Sequence, residues 1–421
     1  MEEIFAIVIF LAVIIAIMTE KVHRTAAALT GTVLLLLTHV LSVEEAVGYI
    51  DFNTIGVLIG MMLFVAIVKN SGVFEYIAIK AAKLSGGDPW KIMMTFMVIT
   101  AVLSAFLDNV TTVLLVGPMT ITIARMLKVN PVPFLMTQIL ASNIGGTATL
   151  IGDPPNIMIG SAAGLDFMDF LSNTGIVVVI IMVAMVIIMR LLYGSRLSAD
   201  GEAIKAVMEL DETKAIEDRP LLMKSVAAMV LVVIGFIFHS QLGVESCTVA
   251  LTAAAVMMLI GRQNIDHIIG EVEWTTILFF AGLFVVVGGL DATGVIGQLA
   301  KMVTGLTQGH MVMTMMVLLW ASALLSSVLD NIPFVATLIP LVLAMGESGF
   351  DIVPLWWAIS LGACLGGNGT LIGASANVVL SGISGKHGSP ITFKEYTKLG
   401  FPMMLVSVVI AMAYLLLRYG M

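Results

Sequence analysis

The chain has 421 residues, of which 59% are hydrophobic and only 11% charged, with a mean hydropathy of +1.07. A soluble domain carries about 25% charged residues, so this composition excludes one and points to a polytopic membrane protein whose first partner is the lipid bilayer. The net charge of −8 argues against nucleic acid, and two cysteines, Cys247 and Cys364, make neither a disulfide framework nor a zinc site.

In chain order, an apolar run over residues 4–18 follows Met1-Glu2-Glu3 without a basic leader, so it reads as a retained helix rather than a cleaved signal. Residues 1–24 thus form an N-terminal helix and a first cytoplasmic loop holding Lys21 and Arg24. Further apolar runs near the ~20 residues that cross a bilayer cover 26–41, 174–189, 221–238 and 401–417. Segments 71–85 and 293–304 open at Gly72 and Gly294 and have mixed polarity, as expected of helices lying along the membrane interface. Apolar arms flank Asp108 within 90–128 and Asp330 within 311–346, predicting two hairpins. Glycine-rich breaks interrupt predicted helices over 131–163 and 352–384. Residues 194–220 are a polar cytoplasmic linker with one amphipathic helix, and 221–244 a connecting helix. The 30 Met residues have no fixed spacing and read as flexible core filling rather than soft-metal ligands.

The chain is duplicated. Leu107-Asp108-Asn109 recurs as Leu329-Asp330-Asn331 at an offset of 222, and Thr149-Leu150-Ile151-Gly152 recurs as Thr370-Leu371-Ile372-Gly373 at 221. Asp51-Phe52-Asn53-Thr54-Ile55 aligns with Glu273-Trp274-Thr275-Thr276-Ile277, and Pro118 with Pro340, again at 222. The units cover 25–193 and 245–421. Basic loops face the cytoplasm, and tracing the chain on that rule puts 18 of the 20 Lys and Arg residues inside, leaving Lys301 and Arg418 outside. The path places both termini outside and makes the repeats inverted, as in secondary transporters that bind substrate and coupling ion at the midplane. Charge counts do not separate a re-entrant hairpin from one that crosses twice. An Asp-Asn pair at the tip of two apolar arms favours re-entry, because irregular backbone at that depth must be buried in protein or line a watery cavity.

Ionisable groups inside a membrane are costly and mark ion or substrate paths. At the hairpin tips Asp108 and Asp330 can each take a proton or help to hold a small cation such as sodium, with oxygens from Asn109, Thr111, Thr112 and Asn331 beside them. Either aspartate could instead serve only as a helix cap, but two copies at equivalent positions favour the functional reading. Pro154-Pro155 forbids an unbroken helix, and the freed backbone groups favour polar ligands. Around the breaks, Ser142, Asn143, Gly146, Thr147, Thr149, Asp153, Asn156, Gly367, Asn368, Thr370, Ser375 and Asn377 are the candidate substrate-binding residues. A packing kink between helices does not need that density of polar groups.

Residues 104–115, Ser-Ala-Phe-Leu-Asp-Asn-Val-Thr-Thr-Val-Leu-Leu, followed by 143–156, Asn-Ile-Gly-Gly-Thr-Ala-Thr-Leu-Ile-Gly-Asp-Pro-Pro-Asn, resemble the arsenite permease / P-protein branch of the ion transporter superfamily. The likeness covers essentially the whole chain. It implies an all-α fold of two inverted repeats, each with scaffold helices, a re-entrant hairpin and a discontinuous helix, and an elevator-type motion of the hairpin-bearing part. It further implies a homodimer through the scaffold helices and leaves a partner ATPase open. The divalent anion:sodium symporters are similar more distantly but carry Ser-Asn-Thr at the tips, where this chain has Asp108-Asn109-Val110 and Asp330-Asn331-Ile332. The second break has Ala374-Ser375-Ala376 in place of Asp153-Pro154-Pro155, so Asp153 has no repeat counterpart.

No Lys or Arg lies within a tip or a break, which favours a proton, a cation or a neutral oxyacid over an organic anion. The leading expectation is a proton-coupled efflux permease in the cell membrane for arsenite, antimonite or a similar small inorganic species. Alternatives are a sodium/proton antiporter using Asp108 and Asp330, and a sodium-coupled carboxylate transporter or anion channel. The coupling ion is H⁺, Na⁺ or both, with no other cofactor. A contact between Cys364 and arsenic is weighed against its reading as a small apolar filler, the commoner role. No nucleophile–base pair or nucleotide fingerprint indicates an enzyme.

Overall fold

The computed structural model describes every residue except Met1, Glu20, Ser195, Glu217, Gln308 and Met421, so two linker positions lie outside the described residues. The first half runs through α1 (Glu2–Met18), α2 (Arg24–Leu37), α3 (Val43–Gly48), α4 (Phe52–Lys69), α5 (Val73–Leu84), α6 (Pro89–Phe106), α7 (Asn109–Met126), α8 (Val132–Gly146) and α9 (Pro154–Ala163). It closes with α10 (Phe167–Phe170), which a π turn joins to α11 (Ile176–Tyr193). The connector holds α12 (Gly201–Met208) and a 3-10 turn (Glu212–Ala215). The second half has α13 (Arg219–Phe238), α14 (Ser246–Gly261), α15 (Ile265–Gly270), α16 (Trp274–Ala292), α17 (Val295–Leu306), α18 (Met311–Ser326), α19 (Asn331–Glu347), α20 (Val353–Gly366), α21 (Ser375–Lys386) and α22 (Phe393–Tyr419).

The helix order of the first half returns in the second, and it begins one helix before the repeated motifs, since α1 packs on α2 as α13 packs on α14. Among the described residues, seven helices are long and apolar enough to cross a membrane. On α11, Val179, Val183, Ile187 and Leu191 recur every fourth residue and are 55% to 80% exposed, a stripe suited to lipid. The hairpins and broken helices expected from sequence are present. The arms α6 and α7 have 18 residues each, about 27 Å at ~1.5 Å per residue, and they turn at Leu107-Asp108. The breaks occupy residues 147–153 and 367–374, between α8 and α9 and between α20 and α21. The segments after Gly72 and Gly294 are helices too. Both glycines cap them in the left-handed region, at φ 76° and 77°, where a side chain is strained.

Packing interleaves the halves. α2 lies against α16 and α14 against α4, while α7 packs on α21 and α9 on α19. The hairpin arms α6 and α18 sit so close to α8 and α20 that glycine is required at repeat-related positions. A Cβ on Gly145 would lie 2.1 Å from the Ala101 carbonyl oxygen, and one on Gly366 would lie 2.5 Å from that of Ala323. The linker docks on α5. Lys83 donates to the Leu210 carbonyl at 2.9 Å and to Glu212 at 2.6 Å.

Two predictions follow from this packing. Gly145→Val should destabilise the detergent-solubilised protein by about 1–3 kcal/mol or more through overpacking, whereas Gly382→Ala, which meets nothing within 4 Å, should leave the melting midpoint unchanged or raised. The Lys83 hydrogen bond holds the Glu212 carboxyl below its ordinary value. A group depressed on folding contributes stability above its ordinary pKa and loses it as pH falls through the depressed one. Limited proteolysis within 194–220 should therefore accelerate on acidification, and in Lys83→Ala it should be fast already at neutral pH.

Candidate functional site

Each break is held open by the same three contacts, repeated at the expected offset. Ser104 donates to the Ser142 carbonyl at 2.6 Å, and Ser326 donates to the Ala363 carbonyl at 2.7 Å. Thr149 and Thr370 donate to the carbonyls of Ala105 and Ser327, tying each break to its hairpin. The Asn156 amide donates to the Thr149 carbonyl and the Asn377 amide to that of Thr370, both at 2.9 Å. These side chains supply the hydrogen bonds that a helix stopping in an apolar interior loses. Thr149, Asn156, Thr370 and Asn377 thus donate to protein backbone, as do Ser142, to the Ile139 carbonyl at 2.9 Å, and Thr147, to the Asn143 carbonyl at 2.7 Å. Gly146 and Gly367 give the breaks room, since a Cβ on Gly146 would lie 2.5 Å from the Gly152 carbonyl oxygen and one on Gly367 3.1 Å from the Ala374 Cβ.

Between the breaks runs a buried chain of amides. Asn109 donates to Asn143 at 3.2 Å, and Asn143 donates to both Asn368 and Asn377 at 2.9 Å. The second tip joins through Asn331, whose amide lies 3.3 Å from each carboxylate oxygen of Asp153. Asp108 caps α7 by accepting from the Thr111 N–H at 2.8 Å and from the Thr111 hydroxyl. Asp330 caps α19 by accepting from the Ile332 N–H at 3.2 Å. Thr112 is fully buried, and its hydroxyl has no hydrogen-bond partner among the described residues.

These elements enclose a central cavity of about 30 Å³, lined by Asp108, Asn109, Asp153 and Asn331 together with Arg24, Glu273, Thr276 and Ser375. That volume holds one or two water-sized groups. Asp153 is 1% exposed, and its carboxylate accepts only from the Asn331 amide among the described side-chain hydrogen bonds. The aspartate without a repeat counterpart is therefore the most enclosed carboxylate of the site.

Sequence reasoning missed two members. Arg24, expected in a cytoplasmic loop, is the first residue of α2 and reaches the site. Its guanidinium lies 3.0 Å from Asp330, 2.7 Å from the Ser375 hydroxyl and 3.2 Å from that of Thr276, with its carbon 5.1 Å from the centre of the Phe279 ring. No Lys or Arg lies within the tips or breaks themselves, but one from outside them stands against the second tip. Arg24 arrives from a different helix, where motif spacing carries no sign of it. Glu273, at the start of α16, accepts from Thr276 at 3.0 Å. Its only sequence signal was its alignment with Asp51.

Two larger cavities adjoin the central one. The first, about 530 Å³ and mostly apolar, shares Arg24 and Ser375 with it and also touches Asp330. The second, about 430 Å³, shares Met62 and Glu273 and is lined by Lys69, Thr111 and Glu271. Cys364 is fully buried behind the site, with its sulfur 3.5 Å from Asn156, and lines none of these cavities.

Comparison with known proteins agrees with this architecture. Residues 14–362 match the family described as citrate transporter. An uncharacterized transporter of Mycobacterium tuberculosis is 43% identical, covering 99% of this chain and 99% of its own length. The P protein of Homo sapiens is 34% identical over 99% of this chain but 59% of its own length. The crystal structure of the Alcanivorax borkumensis YdaH transporter, whose topology is described as unusual, superposes with a TM-score of 0.63 at 16% identity, covering 89% of this chain and 88% of that one. The fold is thus that of a known class of transporter, and the chain, a multi-span membrane protein and not an enzyme, belongs to the citrate transporter family of the ion transporter superfamily.

Proposed function

We propose that this protein is a cation-coupled secondary transporter in which Asp108, Asp153 and Glu273 carry protons or sodium. The observation that supports this reading is the convergence of three carboxylates and one arginine on a cavity of about 30 Å³. Carboxylates withdrawn from water are costly unless paired, protonated or bound to a cation. Arg24 is already engaged by Asp330, so a proton or small cation is the natural partner for the others. The cavity suits such an ion, and its asparagines supply the oxygen ligands that hard cations take.

For the transported species, a proton-coupled efflux permease for arsenite or antimonite stays the first reading. A neutral trihydroxy acid offers hydroxyl donors to carboxylates that only accept. Arg24 favours a second, a carboxylate anion seated in the 530 Å³ cavity against Arg24 and Ser375, and the family description points the same way. A sodium/proton antiporter uses the same three carboxylates without a further substrate. The inverted arrangement, the elevator motion, the homodimer, the external termini and the cytoplasmic 194–220 linker belong to this proposal.

Reconstitution in liposomes tests it, comparing arsenite flux, citrate flux and sodium-driven proton flux under imposed ion gradients. Asp108→Asn and Asp153→Asn should each lower gradient-driven flux by an order of magnitude or more while the protein stays monodisperse, and full coupled activity in both would sink the proposal. Arsenite flux indifferent to sodium eliminates the antiporter, whereas citrate flux lost in Arg24→Gln selects the carboxylate.

A further inference from the structure

The 430 Å³ cavity beside Glu273 has a twin. A cavity of about 350 Å³ is lined by Tyr49, Asp51, Phe284, Gly288 and Asp291, together with Ser161 and residues of α19. At the repeat offset of 222 these positions are the counterparts of Glu271, Glu273, Met62, Ala66 and Lys69. The pairing extends to a contact at each rim. Glu271 pairs with Lys69 at 3.3 Å, and Tyr49 donates to Asp291 at 3.4 Å.

The twins differ in what they reach. The Glu273 cavity shares Glu273 and Met62 with the central cavity, whereas the Asp51 cavity shares no residue with it. The carboxylates differ in the same sense. Among the described side-chain hydrogen bonds, the Glu273 carboxylate accepts only from Thr276, and the residue lines both its own cavity and the central one. Asp51 accepts from the N–H groups of Asn53 and Thr54 at 3.0 and 3.1 Å and from the Thr54 hydroxyl. It also accepts from the Ser161 hydroxyl at 2.9 Å. Ser161 stands on α9, the second half of the first broken helix, so this bond fastens α4 to the element that carries Asp153. The position equivalent to Ser161 at the 221 offset is Gly382, which has no hydroxyl to offer Glu273. The fastening therefore has no counterpart on the other side.

We infer that Glu273 and Asp51 are the two gate carboxylates of the transport cycle, each passing the coupling cation between its own cavity and the central aspartates, and that the Ser161–Asp51 bond holds the Asp51 gate shut. This rests on the cation-coupled reading above. In this structure the Glu273 gate is engaged and the central site communicates with the Lys69–Glu271 side, the cytoplasmic one by the distribution of basic residues. Release of Ser161 frees Asp51 to take the equivalent position from the other side. The two access states are thereby unequal in free energy, with the Glu273-side state favoured by the bond that only Ser161 can make.

The test reads accessibility rather than transport, so it stands apart from whether the coupling reading is right. Leu58, which lines the central cavity, is replaced by Cys in a Cys247→Ser background and labelled in sealed proteoliposomes by a membrane-impermeant cationic thiol reagent from either side. Val110→Cys, on the same cavity, replaces Leu58→Cys if that variant fails to fold. The parent should label from the Lys69–Glu271 side. Ser161→Ala should raise labelling from the opposite side, relative to the first, by about tenfold, as loss of a hydrogen bond to a charged group warrants, and Ser161→Thr should restore the parental ratio. Equal labelling from both sides in the parent, or a ratio unmoved by Ser161→Ala, overturns the gate assignment. If the ratio moves while Asp108→Asn and Asp153→Asn leave coupled flux intact, the gates stand and the coupling reading fails.

Discussion

A helix that ends inside an apolar interior strands backbone amides and carbonyls that water cannot reach, and each stranded group costs free energy unless the protein supplies a partner. This fold stops four helices in such a place, at two hairpin tips and two breaks. Much of the rest can be read as the consequence. Ser104 and Ser326, Thr149 and Thr370, and Asn156 and Asn377 are spent on carbonyls of the breaks and tips. Glycines at 145 and 366 bring the hairpin arms close enough for those bonds to form. Only after the backbone is satisfied does a small polar cavity remain, and its walls are the side chains left over.

Those walls carry an uneven charge. Asp330 has its counter-charge in Arg24, while Asp108, Asp153 and Glu273 face a cavity with no second cation of the protein's own among its lining residues. An interior of this kind is unstable as a set of bare charges and stable as a set of charges with guests. The distinction separates the two hairpin aspartates although both stand in the same Leu-Asp-Asn triplet. Asp108 serves its helix as a cap and is otherwise free toward the cavity, whereas Asp330 is tethered to a helix of the other half.

Much of this was legible in the sequence, and for a physical reason. Duplication at a constant offset, glycine and proline in an apolar run, and an Asp-Asn pair between two apolar arms are local signals, and each corresponds to the break, hairpin or cap expected. Gly72 and Gly294 mark helix starts in sequence and hold left-handed backbone in the structure. The long-range part was not legible. Arg24 and Glu273 lie far in sequence from the tips they meet, because α2 packs on α16 across the two halves. Polar density around the breaks suggests substrate binding on sequence grounds, yet much of it turns to backbone. Nothing in a residue's identity tells an asparagine that will close a helix end from one that will face a ligand. The alignment of Asp51 with Glu273 was visible as similarity, but its meaning depends on which neighbours each carboxylate finds.

The departures from symmetry therefore carry more functional content than the symmetry does. Duplication explains why two cavities, two tips and two breaks exist. It does not explain a preferred direction, since two equivalent halves would favour neither side. Three substitutions at equivalent positions remove that degeneracy: Asp153 against Ala374, Arg24 against Ser246, and Ser161 against Gly382. The first puts a carboxylate in one break only. The second gives an arginine to one tip only, and the third gives one gate a hydroxyl bond that the other lacks. Each acts within the ring of contacts around a single small cavity, where a change of one hydrogen bond to a charged group is comparable to the few kcal/mol that separate two conformations of a working protein. A duplicated scaffold with a few unshared polar side chains at its centre is a sufficient physical basis for a transporter with an inherent resting side.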